Sequence, residues 1–171
     1  MNAQEAKAAA DVVASMWEGE FRATCEVLAA VKDENRHYKP DAKSRSAWDL
    51  AVHIATADVW FVDSIVNGAF AYDAAAAKQA ESQFTKVADV VEFYKKTFPG
   101  KLKALRAMPA EKMTDMLDFF GMMKMPRAQF VVFANNHSIH HRGQLAAYLR
   151  ALGSKVPNIY GPSADAEPAR V

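Results

Sequence analysis

The 171-residue chain has one cysteine, seven glycines and no apolar run approaching the roughly 20 residues that a membrane-spanning helix needs. Each shortage excludes something. Cys25 has no partner for an internal disulfide, which fits a reducing compartment. Scarce glycine beside abundant alanine favours helix over sheet. An excess of charge of either sign is also missing. Lys and Arg number 21 against 20 Asp and Glu, and no basic stripe emerges along the chain. Nucleic acid is therefore not expected as a partner. The start, Met1 to Glu5, lacks the cationic end and apolar run of a secretion signal. The expectation is one cytoplasmic domain over residues 1–171, without a membrane segment and long enough for one core.

What is present is helical periodicity. Val13, Trp17, Phe21, Cys25 and Leu28 repeat at three- and four-residue spacing and predict a first helix over about 4–31, with Cys25 a buried, inert thiol. Ser46-Ala47-Trp48-Asp49 reads as a capping box opening a second helix that ends at Asn67-Gly68. A polar linker then runs to about Thr85. A third helix covers about 86–98, where Pro99-Gly100 should kink or break it before a continuation towards 107. The methionine-rich stretch 108–125, with Phe119-Phe120-Gly121 at its middle, reads as an irregular loop of apolar filler. Pro126 opens the last helix, which stops at Gly153, and the tail from Ser154 is non-helical. Four long amphipathic helices imply an all-α four-helix bundle.

Histidines carry the chemical signal. In His137-Ser138-Ile139-His140-His141, the first and last rings are four residues apart and share one side of a helix. On a wheel of 100° per residue, His141 lies near the centre of the stripe through Phe130, Ala134, Leu145, Tyr148 and Leu152. His137 lies about 40° to one side, and His140 falls at the rim. Two inward imidazoles are hard to satisfy by hydrogen bonds alone, whereas one cation satisfies a nitrogen on each. His53 adds a third ring from the second helix, with Asp49 one turn earlier placed to accept its other N–H. His37 lies in a polar connection and reads as solvated.

These segments resemble the DinB/YfiT superfamily of metal-binding four-helix bundles. The resemblance is carried by His137-Ser138-Ile139-His140-His141-Arg142-Gly143-Gln144-Leu145 and by Trp48-Asp49-Leu50-Ala51-Val52-His53-Ile54. The tail Ile159-Tyr160-Gly161-Pro162-Ser163 adds to it. It implies His53, His137 and His141 as ligands of one divalent ion, nickel or zinc, and a homodimer. For chemistry it implies either a metal-dependent hydrolase or a metal-dependent enzyme that transfers or isomerises with a low-molecular-weight thiol.

Three imidazoles leave an open position for water or a small-molecule substrate, so the leading expectation is a hydrolase-type enzyme with metal-activated water. Thiol S-transfer or isomerisation is the alternative, followed by a non-catalytic bundle with a structural metal. No general base is assigned. Asp49 reads as a cap, Asp58 as solvated surface, His140 as rim, and Gln144 as packing.

Overall fold

The computed structural model describes residues 1–166. In chain order the elements are α1 (Ala3–Ala29), α2 (Ala47–Asn67), a short α3 (Ala74–Glu81), α4 (Val87–Arg106), strands β1 (Met116–Phe119) and β2 (Met123–Pro126), and α5 (Arg127–Ala151). Single 3-10 turns lie at Asp33–Asn35 and Ala110–Thr114. The four long helices form the bundle. α1 and α2 each pack against both α4 and α5, so α1 stands diagonally opposite α2. That order puts α2 and α5 side by side, with Trp17, Leu50, Ile54, Tyr94, Phe98 and Phe130 buried in the shared core.

Local chemistry fixes the helix ends. Asn2 and Glu5 cap α1 reciprocally, and Ser46 and Asp49 do the same for α2. α2 ends at Gly68, whose φ of 87° is left-handed. The Arg127 guanidinium approaches this turn and donates to the carbonyls of Ile65 (2.5 Å) and Val66 (2.9 Å), satisfying acceptors that a helix end leaves free. The polar linker is not structureless: Asp73 caps Ala75 and Ala76, and its alanines form α3.

Two expectations need correction. Pro99 does not break its helix; α4 runs continuously to Arg106. Proline removes the donor for the carbonyl four residues earlier, but Lys95, Pro99 and Gly100 lie on the exposed side, where water can replace it. The stretch before the last helix is likewise ordered. β1 and β2 form an antiparallel hairpin with Phe119 opposite Met123, and Leu117 anchors it in the core. The fold therefore carries a two-stranded sheet beside its helices. Phe120 (φ 54°) and Gly121 (φ 72°) are both left-handed at its tip. For an aromatic residue this costs roughly 1–2 kcal/mol.

The described part of the tail is non-helical, as expected, and is tied to the bundle. Arg142 is 1 % exposed. It pairs with Glu20 of α1 and donates to the Tyr160 hydroxyl at 2.8 Å and to Thr24. Asp165 accepts from Arg150 and from the Val156 N–H. Cys25 is free and buried, and burial pushes its thiol pKa up, which fits the inert reading.

Glycine positions give a direct check on these ends. A Cβ at Gly68 would stand 2.5 Å from Arg127 Nη2 on a left-handed backbone, whereas one at the helical Gly100 meets nothing within 4 Å. Gly68→Ala should lower stability by about 2 kcal/mol or more, and Gly100→Ala should raise it by roughly 0.5–1 kcal/mol. Urea unfolding of both variants measures the contrast, and equal effects would contradict the described cap.

Candidate metal centre

α2 and α5 bring together the three histidines expected from the sequence. Ring centroids stand 5.0 Å apart for His53 and His137, 4.6 Å for His53 and His141, and 4.4 Å for His137 and His141. One nitrogen from each lies within 4.8 Å of the other two. His53 Nε2 and His137 Nε2 are 3.2 Å apart, a gap that one proton or one cation can bridge. Two nitrogens bound to tetrahedral zinc at about 2.05 Å stand roughly 3.3 Å apart, so the pair already has a suitable spacing. All three rings are half-buried.

The rings are neutral at ordinary pH. Burial, followed by the charge of Arg45, lowers the His53 pKa to about 3. Burial and the neighbouring His141 lower that of His137 to about 4. His141 is also lowered, mainly by burial, despite a hydrogen bond to Gln144 that opposes the shift. Neutral imidazole is the form that binds a cation, so no proton need leave first. His141 Nδ1 lies 2.7 Å from Gln144 Oε1, which fixes the ring and leaves Nε2 free. His137 Nδ1 is buried without a partner.

Several sequence assignments shift. Asp49 does not serve His53; its carboxylate accepts the Ser46 N–H in the capping box. Gln144, read as packing, is the residue that orients a ligand ring. His140 is at the rim as expected, exposed, with its ring 4.9 Å from that of His141. The centre of the inward stripe on α5 runs through Ser138 and Arg142, not His141. A wheel weighted by apolar residues alone misses these polar side chains, which are buried because they are paired.

Asp58 is the clearest correction. It is not solvated surface but 0 % exposed. Its carboxylate accepts from the hydroxyls of Tyr94 and Ser138, both at 2.8 Å, joining α2 to α4 and α5. Ser138 directly follows His137, so this bond also sets where the His137 backbone stands. Burial pushes the Asp58 pKa up to about 7, against those two hydrogen bonds and the charge of Arg142. Its position within the α2 stripe was the available signal, since one turn past Ile54 a core-facing position recurs.

Comparison with known proteins identifies the family and the fold. A family model described as the DinB family matches residues 2–169. The chain is 26 % identical over 152 residues to the Bacillus subtilis protein YrdA, covering 86 % of this chain and 85 % of that one. A crystal structure of a DinB-like protein from Bacillus cereus superposes with a TM-score of 0.70 at 25 % identity, over 86 % of this chain and 95 % of the other. A mutant of the mycothiol-dependent maleylpyruvate isomerase superposes with a TM-score of 0.51 at 10 % identity, over 93 % of this chain and 66 % of that one.

Asp58 gives the metal-free protein a distinctive pH response. Its folded pKa of about 7 stands above the ordinary aspartate value of 3.8, so between those values the folded chain holds a proton that the unfolded chain has released. Stability must then fall as pH rises through that window and level off above it. Relative to Asp58→Asn, wild type is expected to lose about 3 kcal/mol between pH 5 and pH 8, at ~1.4 kcal/mol per unit up to the folded pKa. Denaturant titrations at both pH values measure this difference, and parallel pH profiles would refute it.

Proposed function

The chain belongs to the DinB family, and from that premise we propose that it is a metal-dependent enzyme of hydrolase type. One divalent ion, nickel or zinc, is held by His53, His137 and His141. The observation that carries this reading is the convergence of three neutral, half-buried imidazoles, with no fourth His, Cys or carboxylate grouped with them among the described residues. A structural zinc ordinarily takes four protein ligands, whereas three leave a position for water or substrate. Bound there, a divalent cation lowers the pKa of water towards 7, or takes a thiol as thiolate.

The chain's own residues supply position. Gln144 fixes the His141 ring. The Ser138–Asp58–Tyr94 bonds hold α5 against α2 and α4. Burial keeps the His53 and His137 rings uncharged. Among the described residues no carboxylate is grouped with the triad, and His140 stands beside it at the rim, so the reading asks the cation to activate the nucleophile.

A second reading, thiol S-transfer or isomerisation, is favoured by the likeness to the mycothiol-dependent isomerase. At 10 % identity that likeness speaks for the fold and leaves the chemistry to experiment. Self-association also belongs to the proposal. Val12 and Met16 on α1 are exposed by 61 % and 57 % and offer apolar surface for a homodimer, measurable by light scattering.

Metal content tests the central claim. Protein purified without a metal column or histidine tag is expected to hold close to one nickel or zinc per chain, or to regain it on soaking. His53→Ala, His137→Ala and His141→Ala should each weaken binding by more than about tenfold, and His140→Ala should not. Under about 0.2 metal per chain, with none regained on soaking, ends the metal reading. With metal restored, turnover of esters or amides against turnover of thiol adducts decides between the two chemistries.

A further inference from the structure

Aromatic side chains extend from the triad on one side. The Phe61 ring packs 5.0 Å from the His137 ring. It also meets Trp60 at 4.9 Å and Phe133 at 5.7 Å. Phe61 is buried, but Trp60 and Phe133 are only half-buried. Trp60 follows His53 by seven residues and Phe133 precedes His137 by four, so each lies on the ligand-bearing face of its helix. Phe61 therefore links the histidines to a half-buried aromatic shelf formed by Trp60 on α2 and Phe133 on α5.

The hairpin completes this shelf with a strained residue. Phe120 is held left-handed by two bonds in the tip: Gly121 N–H donates to Asp118 Oδ1, and Met122 N–H donates to the Phe119 carbonyl, both at 3.0 Å. Glycine or asparagine would suit that backbone better. What phenylalanine adds is a ring parallel to the Trp60 indole, 3° between planes with centroids 6.4 Å apart. The Trp60 indole N–H donates to the Ala71 carbonyl at 2.9 Å, which fixes its plane. Phe120 is nevertheless 49 % exposed, so its strained placement serves surface rather than core. Arg45, just ahead of the α2 cap, is a cation whose charge acts on all three histidines.

Resting on the metal reading above, we propose that this site takes a small aromatic molecule with an anionic donor group: the donor meets the cation, and the ring lies on the shelf of Trp60, Phe120 and Phe133. The bundle walls supply the ligands, and the hairpin supplies selectivity for the ring.

The test uses the full chain loaded with cobalt(II), whose visible spectrum reports on the open position. Benzohydroxamic and acetohydroxamic acid bind a metal through the same anionic group and differ in the aromatic ring. Benzohydroxamate is expected to bind at least ~tenfold more tightly. Phe120→Gly suits the left-handed turn and should fold at least as well as wild type. It should keep one cobalt per chain, yet reduce that preference to about threefold or less. Trp60→Ala should act in the same direction. Equal affinity of the two probes for wild type, or an unchanged preference in Phe120→Gly, overturns this inference and leaves the metal reading standing. Cobalt bound with no spectral response to either probe overturns the open-site reading, and failure to bind cobalt overturns both.

Discussion

Three half-buried imidazoles within one another's reach are the constraint around which this fold is arranged. Placed this close, the rings cannot share positive charge, and burial already disfavours it, so all of them stay neutral. Neutral rings still need partners. His141 finds one in Gln144, while His137 Nδ1 finds none. The cluster is therefore not fully satisfied by protein alone. The proposed cation would use one nitrogen of each ring and tolerate their mutual approach.

Holding the rings together falls to polar interactions in the core. α2 and α5 pack directly on each other, with α4 against α2 and α1 against α5, but hydrophobic packing alone fixes no register. Asp58 does, by accepting from Tyr94 on α4 and from Ser138 beside His137. Arg142, next to His141, pins α5 to α1 and to the tail through Glu20, Thr24 and Tyr160. Each ligand-bearing segment of α5 thus has a paired, buried polar neighbour one residue away. Such groups add little net stability compared with an apolar core, yet removing one partner strands the other. That makes them suited to specifying one alignment.

The sequence made the repetitive parts of this arrangement legible and hid the particular ones. Long helices showed through their periodicity, the α2 start through Ser46 and Asp49, and the His137–His141 pair through its four-residue spacing. His53 could be placed on the right helix but not against the other two rings, because that distance depends on how helices distant in sequence pack. Asp58 was read as solvated, and Ser138 and Arg142 were not read as core positions, because polarity suggests exposure and only a partner elsewhere in the chain reveals a buried polar group. Asp49 was given to His53 because it was near, although its own cap had the prior claim. The hairpin was missed because its tip uses Phe120 where the turn favours glycine or asparagine.

That last miss bears on function. A position that defies local preference, in a fold whose other local choices agree with it, is where selection for something other than folding is best sought. The bundle would close without an aromatic ring at the hairpin tip, since Leu117 already anchors the strands and Gly121 already permits the turn. Under the proposed metal reading, the triad would accept any donor atom of suitable charge and would say little about what carries it. Selectivity would then come from surfaces beside the triad. Half-buried Trp60 and Phe133 and strained Phe120 form such a surface, directly continuous with the ligand-bearing faces of α2 and α5.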